Sequence, residues 1–151
     1  NPTDMAFEYT KYYSLYKLFD VKIKNALFLG GGSYTMPNAL ISEFPNANIE
    51  VVEIEPELYE LSKKYFNTNE NIKNHIYDGR KFVKNSNTKY DFIFSDVYHS
   101  KYSIPIHFTT IEFFEEVKTK LNDNGVFMIN LIGSLTDSTP SFTLSEIKTL
   151  I

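Results

Sequence analysis

Ala26-Leu27-Phe28-Leu29-Gly30-Gly31-Gly32-Ser33 is the stretch on which the fold turns. Its apolar run is unbroken and does not alternate, so it predicts a strand buried on both faces, as in a parallel sheet. The glycines that end it predict a tight exit into a helix, with the backbone open to close approach by a ligand. Downstream, Asn38 to Phe44 reads as that helix, with Pro37 tolerated in its first turn. Ile49-Glu50-Val51-Val52-Glu53-Ile54 reads as a second strand, and Pro56 opens a helix carrying Leu58, Leu61 and Tyr65 on one side.

The same alternation continues to the end of the chain. Ile72 to Tyr77 reads as a third strand, Gly79 to Lys84 as a turn and short helix, and Asp91-Phe92-Ile93-Phe94-Ser95 as a fourth strand ending on Asp96. Thr109-Thr110-Ile111-Glu112 matches a capping box, in which a Thr side chain reaches forward and a Glu reaches back. The helix it opens runs to about Leu121, Asn124-Gly125 ends it, and Val126 to Leu131 forms a fifth strand. Upstream, residues 1–20 are an N-terminal helical segment, with Phe7, Tyr12, Leu15, Tyr16 and Phe19 on its aromatic face. Strands alternating with helices predict an α/β fold: a Rossmann-like parallel sheet flanked by helices on both faces. Residues 1–151 read as a single domain, and Ser134 to Ser141 as a polar loop. The Asn1-Pro2 start, and an end within the helical stretch Ser141 to Ile151, predict a piece of a longer protein.

Composition narrows the function. The 151 residues are 42% hydrophobic and 23% charged, which is ordinary for a globular domain. The net charge of −4 comes with no basic stripe, which argues against nucleic acid as a partner. The absence of cysteine removes disulfides, thiolate chemistry and Cys-based zinc sites together, and fits a cytoplasmic setting. No apolar run reaches the ~18 residues of a membrane span. The three histidines do not group into a metal set.

Open parallel sheets bind ligands beyond the carboxyl ends of their strands. Here those ends carry Gly30-Gly31-Gly32-Ser33, Glu53, Asp78-Gly79 and Asp96. Glu53 follows Gly30 by 23 residues, close to the ~20 expected of an acid that accepts from ribose hydroxyls. Asp78 either receives an amino group from a purine or simply forms a turn before Gly79. Asp96, at the end of a strand next to the first, is the candidate base for an amine or hydroxyl nucleophile. His99 and His107 follow it, beside Tyr98 and Tyr102. Nicotinamide dinucleotides are disfavoured because Thr35 stands at the third glycine of G-x-G-x-x-G. No Walker motif follows the glycines.

From about Ala26 to Gly133 the chain resembles the spermidine synthase-like (polyamine aminopropyltransferase) family. The resemblance rests on Leu29-Gly30-Gly31-Gly32, Val52-Glu53-Ile54-Glu55, Asp78-Gly79-Arg80, Tyr90-Asp91 leading to Ser95-Asp96, Ile104 to Phe114, and Leu121 to Val126. It implies a class I S-adenosylmethionine-dependent methyltransferase-like sheet, lacking the family's last strands. It implies binding of S-adenosylmethionine or decarboxylated S-adenosylmethionine as co-substrate, and aminopropyl transfer to an amine. By the same resemblance Gly30 and Gly32 flank the nucleoside, Glu53 holds the ribose and Asp78 meets the adenine, with Gly31, Ser33, Ile54 and Gly79 in the same pocket. Asp96 is the first Asp of the family's D-x-x-D motif, catalytic through the attacking amine, with Tyr98 and His99 on the acceptor side. A homodimer is implied too, since many relatives are dimers. The chain departs from the family in two places: Ser33 replaces the Asp after the glycines, and His99 replaces the second Asp of D-x-x-D. Both family acids face cationic amines, and each charge-assisted contact is worth ~1.5–3 kcal/mol. Methyl transfer and a non-catalytic nucleoside-binding remnant are therefore the alternatives to aminopropyl transfer.

Overall fold

The structure, a computed structural model, describes residues 8–98, 104–132 and 142–150. Five strands form one parallel sheet: β1 (Asn25–Leu29), β2 (Asn48–Glu53), β3 (Lys73–Ile76), β4 (Tyr90–Ser95) and β5 (Leu121–Ile129). Their order is β3-β2-β1-β4-β5, so the chain reverses its direction of travel across the sheet next to β1. The helices are α1 (Glu8–Lys11), α2 (Thr35–Glu43), α3 (Pro56–Phe66), α4 (Gly79–Asn85), α5 (Ile111–Lys120) and α6 (Phe142–Leu150). Among the described residues no helix is long and apolar enough to cross a membrane.

Alternation along the strands builds a core on each face of the sheet. Phe28, Ile49, Val51, Phe92 and Phe94 point to one side, where they meet Tyr13, Tyr16, Tyr34 and Leu40. Leu27, Leu29, Val52 and Ile93 point to the other, against Val83, Phe108, Phe113 and Val117. β1 is buried on both faces, as its unbroken apolar run predicts. A carboxylate enters the second core: Glu50 is 8% exposed, paired with His75 at 2.8 Å and with Tyr90 and Asn48 within hydrogen-bond reach. That accounts for His75 as part of the sheet's internal bonding.

Four local expectations are corrected. Within the described residues, the N-terminal helix is one α turn followed by a 3-10 segment, Tyr12–Leu18. The tighter winding turns Tyr13 and Tyr16 inward and leaves Tyr12, Leu15 and Phe19 exposed. Phe7 lies outside the described residues, as does the loop expected over 134–141. On α3 the inward residue is Ser62, not Leu61 or Tyr65, which are 45% and 63% exposed. Tyr59 of that helix packs its ring at a tilt against buried Tyr34, which turns this side of the helix inward.

The α5 cap is Thr110, whose Oγ1 accepts from Phe113 N, while the Thr109 hydroxyl bonds back to Ile106 O. The N-cap thus lies one residue later than expected, and with Phe113 at the third helical position the reciprocal half of a capping box has no carboxylate to form it. Finally, α5 stops at Lys120 without help from Asn124-Gly125, which sits inside β5 where the pairing with β4 slips between Tyr90 and Phe92. Gly125 fits there because a Cβ would lie 2.9 Å from Tyr90 O.

Candidate functional site

The strand register brings the candidate residues level. Leu29 pairs with Val52 on one side and Ser95 on the other, so the next residues, Gly30, Glu53 and Asp96, emerge side by side. The ladder runs one step further, with Gly30 N donating to Val52 O and Asp96 N donating to Leu29 O, both at 2.9 Å. Gly30 has φ +91°, and a Cβ on it would sit 2.5 Å from the Asp96 carbonyl oxygen. Gly32 has φ +52° with open space where a Cβ would point. Gly30→Ala is therefore expected to cost about 1–3 kcal/mol from backbone strain alone, before the clash is counted. Denaturant unfolding measures it, and an unchanged midpoint would contradict this reading of the turn.

Glu53 organises the glycine loop. It is 7% exposed, and its Oε2 accepts from Gly31 N at 2.9 Å and Gly32 N at 3.4 Å. Its Oε1 accepts from Glu55 N at 3.0 Å. An ionised carboxylate has about four lone-pair sites; these contacts use three and leave capacity for a further donor. Tyr34 supports the loop from below. It is fully buried in the left-handed conformation at φ 59°, with its hydroxyl donating to Asn74 Oδ1 on β3. The Ser33 hydroxyl pairs with that of Thr35 at 2.8 Å, and Ile54, beyond β2, is 59% exposed.

Asp96 is held by one side chain, Asn130 at the end of β5, whose Nδ2 donates to Asp96 Oδ1 at 2.9 Å. Burial holds the Asp96 carboxyl above the usual aspartate range, and the Asn130 bond partly opposes this. Tyr98 was expected on the acceptor side. Its hydroxyl donates to Asn130 O at 2.8 Å and accepts from Ile132 N at 3.0 Å, so it latches the exit of β5 beside Asp96. Burial is the main cause of the raised Tyr98 pKa, and the charges of Asp96 and Glu146 both push it in the same direction. His99 lies outside the described residues.

Asp78 has two partners. Its Oδ1 caps α4 by accepting from Lys81 N at 2.8 Å, and its Oδ2 pairs with His107 Nε2 at 3.2 Å. The cap matches the turn-forming reading of Asp78, and His107 belongs to this carboxylate and not to Asp96. Gly79 packs under Phe108, whose ring would lie 3.1 Å from an added Cβ. Arg80 ties α4 to α5 through a two-pronged pair with Glu116 and also donates to His107 O and Thr110 Oγ1. Asn130 and Tyr34 carry no sequence signal beyond being polar residues at element ends; only the sheet register brings them to the site.

A family model described as the spermine/spermidine synthase domain matches residues 9–135. The chain belongs to that family. Polyamine aminopropyltransferase from Vibrio vulnificus (strain CMCP6) is 34% identical over 118 residues, spanning 75% of this chain and 39% of that protein. A probable spermidine synthase from Corynebacterium glutamicum superposes with a TM-score of 0.75 at 26% identity, over 88% of this chain and 50% of the other. Human methyltransferase-like protein 13 in complex with SAH superposes with a TM-score of 0.61 at 28% identity, over 68% of this chain and 52% of the other. The chain therefore spans about half or less of these relatives' lengths. Its sheet is the S-adenosylmethionine-dependent methyltransferase-like one that the spermidine synthase family shares with methyltransferases.

Proposed function

We propose that this spermidine synthase-family domain binds S-adenosylmethionine or its decarboxylated form and, from the decarboxylated form, transfers the aminopropyl group to an amine as the carbon–sulfur bond breaks and methylthioadenosine leaves, with Asp96 as the base. The observation that carries this reading is the level placement of two carboxylates, Glu53 and Asp96, on either side of the Gly30 turn. The residues suit such a donor. Glu53 keeps spare acceptor capacity for ribose hydroxyls, and Gly32 leaves the approach to the backbone open. Gly30, Gly31, Ser33, Ile54, Asp78 and Gly79 complete the nucleoside side in this reading. The donor's sulfonium supplies an electrophilic carbon and a good leaving group. Asp96 takes the proton of an attacking amine on its half-buried carboxylate, which Asn130 holds in place. Tyr98 holds the strand exit next to that carboxylate, and His99 follows it on the acceptor side.

Methyl transfer is the second reading. Ser33 stands where family members carry an acid for the aminopropyl amine, and methyltransferase-like protein 13, a structural relative, was crystallised with SAH. Two labelled donors separate the readings in the full-length protein. Label from the aminopropyl chain of decarboxylated S-adenosylmethionine is expected in the amine product. Label arriving from the methyl group of S-adenosylmethionine instead would establish the second reading. A protein that binds donor and transfers neither label would be a non-catalytic member of the family.

A further inference from the structure

His107 is an exposed side chain held from three directions. It lies in the 3-10 turn Ile106–Phe108, which leads towards α5 and docks on the first turn of α4. Phe108 drives the docking: it is 3% exposed and seats its ring on Gly79. The His107 carbonyl accepts from Arg80 Nη1 at 2.9 Å, and Arg80 is itself pinned to Glu116 of α5. The imidazole packs at a tilt on the Phe108 ring, centre to centre 4.5 Å, and its Nε2 reaches Asp78 Oδ2 at 3.2 Å. An ionised carboxylate only accepts, so Nε2 is the donor.

Stability does not account for this arrangement. The His107 and Asp78 side chains are 45% and 24% exposed, and a pair this open to solvent adds little to folding. The cap on α4 needs only Asp78 Oδ1, which accepts from Lys81 N. The second bond changes the carboxylate's freedom instead. With one oxygen on the cap, the other can still swing about the Cβ–Cγ bond; with His107 on Oδ2, the carboxylate plane is fixed. About two of its four lone-pair sites stay unused, and they now point in set directions beside Gly79. A recognition group locked by a neighbour's hydrogen bond is what selectivity between similar ligands requires.

We propose that His107 is a positioning residue for the nucleoside base: by locking the Asp78 carboxylate it makes the pocket take a purine with an exocyclic amino group and refuse one with an oxo group in its place. This rests on the donor-binding reading above, in which Asp78 meets the base, and adds to it the residue that sets base selectivity. An amino group donates to the fixed carboxylate. An oxo group brings lone pairs against lone pairs and leaves both sides without a donor, the situation in which polar sites discriminate most strongly. A carboxylate free to turn would relieve that repulsion and lose the discrimination.

The test is calorimetry on the full-length protein with methylthioadenosine and with methylthioinosine, its oxo counterpart. Wild type should prefer methylthioadenosine by at least about 100-fold. His107→Phe keeps a ring on Phe108 and loses the donor. It should bind methylthioadenosine about 10-fold more weakly and methylthioinosine no more weakly than wild type, so the preference falls to about 10-fold or less. His107→Gln, whose amide nitrogen donates from a similar reach, should restore most of the preference. A structural role would weaken both nucleosides alike and leave their ratio unchanged. A ratio equal to wild type in folded His107→Phe therefore overturns the assignment while the donor reading stands, as does a wild type that binds both nucleosides alike. A wild type that binds neither removes the donor reading and the assignment with it.

Discussion

Asp96→Asn is expected to lower group transfer by about 10²–10⁴-fold, the usual contribution of a positioned general base, with donor affinity nearly unchanged. Asn keeps the shape and can still meet Asn130, but it cannot accept the amine proton. The pH profile should carry the same signature. Because burial raises the Asp96 pKa, the base form accumulates only as pH rises through that raised value. The acidic limb of the wild-type rate should therefore lie above the ordinary aspartate range and vanish in Asp96→Asn. Asn130→Ala removes the bond that favours the charged form, so it should move the limb further up. Stability runs the other way. A carboxyl whose pKa is higher folded than unfolded contributes most below the unfolded value of 3.8, and that contribution is lost as pH rises through the folded value. A rate profile unchanged between wild type and Asp96→Asn would remove Asp96 from the chemistry.

Glu53→Ala is expected to weaken nucleoside binding by about 10²–10⁴-fold. That corresponds to two ribose hydroxyl bonds to a charged acceptor, at ~1.5–3 kcal/mol each. It should also lower the melting temperature, since Gly31 N, Gly32 N and Glu55 N lose their common acceptor. The two effects come from different bonds. Glu53→Gln, which keeps one carbonyl oxygen for the loop, should recover much of the stability and little of the affinity. Equal donor affinity in wild type and Glu53→Ala would place the nucleoside elsewhere.

The parallel sheet was legible because its signal is local. An unbroken apolar run ending in glycines has few other readings, and acids at successive strand ends mark one edge of the sheet. The carboxyl ends of the strands read from the sequence lie within one or two residues of the observed ones, which aligns Gly30, Glu53 and Asp96 without the register, although β5 starts five residues earlier than its apolar run. Helix rotation was less legible. Leu61 and Tyr65 of α3 are expected inward, but a tilted ring pair, Tyr34 and Tyr59, sets its face instead. The Asp96 environment was legible only in part. Asn130 reaches it from 34 residues downstream and belongs to no local pattern. Asp78 shows the opposite limit: both of its readings followed from an Asp-Gly pair, and only the fold revealed His107 as its partner.

The most direct test of the account is a calorimetric titration of the full-length protein with methylthioadenosine, S-adenosylmethionine, decarboxylated S-adenosylmethionine and NAD. The account predicts saturable binding of at least one of the first three, none of NAD, and loss of that binding in Glu53→Ala. A well-folded protein that binds none of the three, or binds NAD in preference to them, would contradict it.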